Sequence, residues 1–190
     1  MGENTVTAEK IIHEPFKITI KEITLLTEAE YKKNETRISA PPRNYNGNIP
    51  SWWLKTPDKN KCHQVRCVEY DSYENWEPTI DSVDADYEYE RGIRPVLVVE
   101  EHFKAGEKIR LFGYEWMVLH NGKLLCDGLI QESHRFRDRI WNWDEETIYK
   151  DGQWVKNEDY EEDYAADANK YSKSDLKWAL EQWLATQMER

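Results

Sequence analysis

No stretch of this chain stays apolar over the roughly 18 residues that a membrane-spanning helix needs. Its opening, MGENTVTAEKIIHEPF, has neither the basic start nor the apolar run of a secretory signal. A soluble, cytoplasmic protein is therefore expected. Cysteine is scarce: Cys62, Cys67 and Cys126 form an odd set without a secretory signal, which predicts reduced thiols rather than a disulfide framework. There is no Gly-rich phosphate loop and no nucleophile motif, and His13, His63, His102, His120 and His134 include no pair at helical i, i+4 spacing. Carboxylates are plentiful, but catalytic acids need separate environments to split their pKa values, and these lie in dense runs that read as solvated faces. Together these absences point away from an enzyme and from a bound cofactor.

What is present is aromatic and acidic. The 190 residues suit one domain, and nine tryptophans imply that it has a core. The net charge of −11 is uneven. Residues 69–90 hold nine acids and no Lys or Arg, and residues 144–163 hold nine acids and two lysines. These blocks carry −9 and −7, which leaves about +5 for the rest of a chain whose total is −11.

Periodicity divides the remainder. Residues 1–14 read as a flexible leader, and 15–190 as the domain. Phe16, Ile18 and Ile20 alternate as in a strand with one wet face. Thr27 followed by Glu30 is a capping-box pattern and predicts a short helix to about Lys33. GIRPVLVVE (92–100) has the β-branched run of a buried strand. In 109–130, Tyr114, Trp116 and Val118 share a face and Asn121-Gly122 separates two apolar runs, which predicts a β-hairpin. At the C-terminal end, Ser174 caps an amphipathic helix whose stripe is Leu176, Leu180, Trp183, Leu184 and Met188.

Metal sites are weakly supported. Cys62, His63 and Cys67 lie within six residues and Cys126 could join them, but the paired Cys-x-x-Cys units of structural zinc are missing. Glu77-Pro78-Thr79 and Trp141-Asn142-Trp143-Asp144 each miss a lectin calcium motif at a ligand position, and the acids of 81–88 lack the EF-hand glycine. No metal is expected.

Two further stretches, WWLKTP (52–57) and GIRPVLVV (92–99), resemble the Trp-Trp-Leu-Arg-Ser-Pro and Val-Arg-Pro-Ala signatures of a family of bacterial and phage domains of unknown function with a C-type-lectin-like architecture. The resemblance implies an α+β fold: a single compact domain with a mixed or antiparallel sheet, two or more flanking helices and, in this chain, long acidic loops. It marks Trp52, Trp53, Leu54, Arg94 and Pro95 as a structural motif, with one tryptophan ring in the main core and the other beneath a neighbouring loop. Pro57 should end the strand, and Arg94 should brace the corner with its fixed fork of donors. Lys55 and Thr56 replace the family's Arg and Ser. The family's usual order starts with a strand like Phe112–Leu119 and a helix like Leu176–Leu184, followed by segments like Ile23–Lys33, Trp52–Pro57 and Gly92–Val99. Here that order is rotated, which implies either a circularly permuted monomer or two fragments completing each other in a swapped dimer.

The acidic blocks interleave aromatics with carboxylates, whereas a purely solubilising tract has little use for aromatics. Aromatics supply contact energy, and charge of one sign steers association with an oppositely charged partner. A row of carboxylates also imitates phosphates. The expected partner is a basic protein surface, above all the nucleic-acid-binding groove of another protein. The candidate contact residues are Asp81, Asp84, Asp86, Tyr87, Glu88, Tyr89 and Glu90 of the first block and Glu158, Asp159, Glu161, Glu162 and Asp163 of the second. Direct nucleic-acid binding is disfavoured by charge, the short basic stretch HRFRDR (134–139) notwithstanding. With the phage association of the similar family, these features suggest an anti-CRISPR-like inhibitor acting as a DNA mimic. The alternatives are a carbohydrate- or small-ligand-binding lectin-like module using Trp76, Trp141, Trp143 and Trp154, or a phage particle component.

Overall fold

The computed structural model describes residues 5–10, 15–44, 47–61, 64–70, 77–85, 91–134, 136, 147–150, 153–156 and 169–189. Six strands close into an antiparallel barrel: β1 (Thr5–Lys10), β2 (Pro15–Thr24), β7 (Val96–Val99), β10 (Leu124–Cys126), β9 (Tyr114–Val118) and β8 (Lys108–Leu111), in that order around the wall. A second sheet runs β11 (Gln131–His134), β6 (Arg91–Ile93), β3 (Trp52–Pro57), β4 (Gln64–Tyr70) and β5 (Pro78–Asp84). Its β3–β6 pair is parallel and the others are antiparallel. A separate hairpin joins β12 (Thr147–Lys150) to β13 (Gln153–Lys156). The described helices are α1 (Glu28–Asn34) and α2 (Asp175–Met188), with a 3-10 turn at Tyr171–Lys173 before α2. The domain is thus β-rich, with an antiparallel closed sheet, a mixed second sheet and, among the described residues, two α-helices.

Register across the barrel explains how its strands serve two cores. Ile23, Leu97, Leu124 and Val118 are successive partners across β2, β7, β10 and β9 and point into the first hydrophobic cluster. Their neighbours Val96, Leu125 and Met117 form the next row and face a second cluster on the outer side. Alternate residues of a strand point to opposite faces, so near-continuous apolar runs are what a doubly buried strand requires. In β2 the alternation of Phe16, Ile18 and Ile20 breaks at a bulge between Ile20 and Glu22, which returns Ile23 to the interior.

The Trp-Trp pair follows the same logic. Trp53 belongs to the first cluster with Val65, Cys67, Phe136 and the α2 leucines, and Trp52 to the second with Leu26, Tyr31, Leu54 and Val68. Both rings are fully buried. Pro57 is the last residue of β3, as expected. Gly92 gives close passage where β6 meets β3: a Cβ there would lie 2.4 Å from Leu129 Cδ1, which would have to shift, and 3.2 Å from the Ser51 carbonyl.

The helix signals hold. Thr27 and Glu30 form the reciprocal capping box of α1. Ser174 Oγ accepts from Lys177 N at 3.1 Å, while Leu176, Leu180 and Leu184 are buried and Trp183 packs on Phe112, Tyr114 and Trp116. Three elements differ from expectation. The span 109–130 is a three-stranded meander with a second turn at Phe112 (φ 56) and Gly113 (φ 78), the two positive φ values of a type I′ hairpin. Phe112 tolerates that conformation while its ring meets Trp183 edge-on, with centroids 5.9 Å apart. Residues 5–10, within the expected leader, form β1, which pairs with β2 over five positions and with β8 over two and so closes the barrel. The acidic blocks are not loops throughout, since β5 lies inside the first and the β12–β13 hairpin inside the second.

Candidate partner-binding surface

The β3–β4 turn is where the end of β5, inside the first acidic block, and Asn169, beyond the second, come together. Asp58 begins it by accepting from Asn60 N (2.7 Å) and Lys61 N (3.2 Å), an Asx turn that fixes the backbone locally. Buried Asn169 crosses to the same turn from the far end of the chain. Its Nδ2 lies 3.1–3.2 Å from the carbonyls of Asp58, Lys61 and Gln64. Residue 169 lies six positions beyond Asp163, the last residue of the second block, and residues 157–168 lie outside the described residues.

The first block reaches the turn through β5. Ser82 Oγ donates to Asp58 Oδ2 at 2.6 Å, and Gln64 Nε2 donates to Asp84 Oδ1 at 2.9 Å. The bond from the Ser82 hydroxyl holds the Asp58 carboxyl below its ordinary pKa, assisted by the backbone N–H of Asn60. β5 is the outermost strand of its sheet among the described residues, and it pairs with β4 in unbroken register from Gln64↔Asp84 to Tyr70↔Pro78. Val83 points inward with Val65 and Cys67, whereas Glu77, Thr79 and Asp81 are exposed. Lys59 and Lys61 are also exposed on the turn and temper its negative potential.

Of the expected contact residues, the structure thus places Asp81 and Asp84 on one strand. Asp86, Tyr87, Glu88, Tyr89, Glu90, Glu158, Asp159, Glu161, Glu162 and Asp163 lie outside the described residues, as do Trp76, Trp141, Trp143, Cys62 and His63. Asn169 and Asp58, which join the far end of the chain to the β3–β4 turn, were missed in the sequence. Only a solved contact reveals a lone Asn reaching three carbonyls more than a hundred residues away.

The structural motif does gather. Arg94 is fully buried; its Nε donates to the Cys126 carbonyl (2.8 Å), Nη1 to the Ser39 carbonyl (2.8 Å) and Nη2 to the Asp127 carbonyl (3.4 Å). Asp127 Oδ1 is 3.6 Å from Nη2, and the guanidinium carbon sits 5.2 Å from the Trp52 ring centroid. Burial lowers the Arg94 pKa, with Tyr70 and Asp127 opposing, yet a guanidinium stays charged. Leu54 and Pro95 are buried beside it, and the Pro95 carbonyl accepts from Cys126 N at 3.0 Å. Trp53 Nε1 donates to the His134 carbonyl at 2.7 Å. Trp52 Nε1, beside the Tyr70 hydroxyl, makes no hydrogen bond of good geometry.

Among the described residues, no three His, Cys, Asp or Glu side chains converge as a metal site. Burial pushes the Cys67 thiol up to about 12 and the Cys126 thiol to about 11, which leaves both poor nucleophiles at neutral pH. Phe136, within the basic stretch, is buried edge-on against Trp53 with centroids 5.5 Å apart. Among the described residues, no helix is long and apolar enough to cross a membrane.

Residues 11–101 match a family described as a domain of unknown function (DUF6273). That match takes in α1, the Trp-Trp strand and the Arg-Pro segment and ends shortly after β7. No curated protein and no solved structure matches the chain.

Proposed function

We propose that this chain is a non-catalytic binding protein whose two acidic blocks form one surface for a basic protein. The nucleic-acid-binding groove of another protein is the occupant that a run of carboxylates and aromatics fits best. A phage-encoded, DNA-mimicking inhibitor of host defence is the specific role proposed. The observation that carries the reading is β5, an outermost strand among the described residues that presents exposed Asp81, with exposed Glu77 just before it and Asp84 at its end. Ser82 and Gln64 hold that end to the β3–β4 turn. Clustered charge of one sign raises association rates with an opposite surface. Changing Asp84, Asp86, Glu88 and Glu90 together to Lys should weaken partner capture from a bacterial lysate roughly 10- to 100-fold at moderate salt. Capture at parental strength by the quadruple variant overturns the reading. A glycan-dependent change in tryptophan fluorescence would favour the carbohydrate alternative instead.

The block order supports a structural companion to this reading, in which the domain is a circularly permuted, C-type-lectin-like one. Met188 and Glu189 at the end of α2 line the same groove as Lys21, Glu22 and Ile23. Those β2 residues open the segment that follows the helix in the family's usual order. A chain re-opened at exposed His102, with its present ends joined by a flexible linker, should fold as a monomer and melt within about 5 °C of the parent. Failure of that chain to fold, or a parental mass of two chains in solution, contradicts the permuted monomer.

A further inference from the structure

The groove between β2 and the end of α2 has a chemistry of its own. It measures about 500 Å³ and is lined by Lys21, Glu22, Ile23, Glu181, Leu184, Ala185, Met188 and Glu189. The floor is apolar: Ile23 and Leu184 are 5% and 8% exposed, with Ala185 and Met188 alongside. The rim is acidic. Lys21 pairs with Glu100 at 3.2 Å and Glu181 pairs with Lys177 one turn back, whereas Glu22 and Glu189 have no ion pair among the described residues. The groove also lies at the C-terminal end of α2, whose last turn carries no basic residue. A helix end of this kind bears a partial negative charge and leaves its final carbonyls wanting donors.

We infer that this groove receives an arginine side chain of the basic partner, its aliphatic stem on Ile23, Leu184 and Met188 and its guanidinium between Glu22, Glu189 and the last carbonyls of α2. The inference rests on the proposal above that the partner is a basic protein, and it names a second contact away from the acidic blocks. Arginine fits better than lysine, since its planar fork of five donors serves two carboxylates and backbone carbonyls at once, and a guanidinium sheds its water more readily than an ammonium. A volume of this size lies within the range of about 300–1,000 Å³ found for ligand sites, so the stem fits with room for backbone at the mouth.

The three methionines, Met1, Met117 and Met188, give a direct readout in methyl-labelled NMR spectra. Met188 lines the groove, and Met117 sits in the second core cluster as an internal control. Titration with Nα-acetyl-arginine methylamide should shift the Met188 methyl saturably at millimolar concentrations and leave Met117 in place. The neutral norleucine analogue should shift neither. In the Glu22→Gln/Glu189→Gln variant, arginine affinity should fall about tenfold, the loss of two charge-assisted contacts, with the Met117 signal unmoved as proof of folding. An unresponsive Met188, equal response to norleucine, or parental affinity in the variant overturns the inference. Partner capture separates the two ideas. Parental capture by the groove variant, together with lost capture by the acidic-block variant, overturns the arginine groove alone. Parental capture by the acidic-block variant overturns the reading on which it rests.

Discussion

Arg94→Ala is expected to destabilise the protein by about 3–5 kcal/mol, the range for breaking a buried charged network, and to lower the thermal midpoint by roughly 10 °C or more. The guanidinium satisfies three carbonyls from two separate segments, Ser39 on one side and Cys126 and Asp127 on the other. Removing it strands those acceptors, each costing about 1–3 kcal/mol when buried. It also opens a void against Trp52. Arg94→Lys keeps the charge but not the fork, and should recover less than half of the loss. Arg94→Met keeps the stem over the ring. If methionine restored most of the stability, packing rather than the fork would hold this corner.

The adjacent tryptophans should respond differently to the same conservative change. Trp53→Ala should cost about 3–5 kcal/mol as a large core deletion, and Trp53→Phe about 1–3 kcal/mol, since it removes the donor that satisfies the His134 carbonyl. Trp52→Phe should cost less than about 1 kcal/mol, because the buried indole N–H it removes faces the Tyr70 hydroxyl without well-formed hydrogen-bond geometry and so contributes little. Denaturant midpoints of the two phenylalanine variants test this directly. A larger loss at Trp52 than at Trp53 would contradict the bonding described here.

Local signals in the sequence were legible where one physical cause dominated. The Thr27–Glu30 box, the Ser174 cap and the leucine stripe of α2 each depend on residues within two turns, and each formed where expected. The buried Trp-Trp-Leu and Arg-Pro segments were legible through resemblance, although neither Arg94's three acceptors nor the bulge in β2 could be read from them. β5 was obscured because its β-branched Thr79, Ile80 and Val83 alternate with acids, so charge density outweighed strand propensity in the reading. The β12–β13 hairpin was obscured likewise, although Asp151-Gly152 between its strands is a strong turn dipeptide. The turn at Phe112-Gly113 was missed because a bulky residue rarely takes positive φ, and only the packing on Trp183 makes it tolerable. Barrel closure by β1 and the Asn169 tether join positions about a hundred residues apart, and no local pattern encodes such contacts.

We propose that the carboxylates of the acidic blocks draw this protein to a basic partner. The most direct measurement is the Kd for the captured partner between about 50 and 300 mM salt, taken for the parent and for the variant with Asp84, Asp86, Glu88 and Glu90 changed to Lys. Screening shortens the reach of exposed charge from about 14 Å to about 6 Å over that range. The parental Kd is expected to rise steeply with salt, and the variant Kd to be weaker at low salt and nearly flat. A parental Kd that does not change with salt, or a variant curve that overlays it, would rule out charge as the driving force.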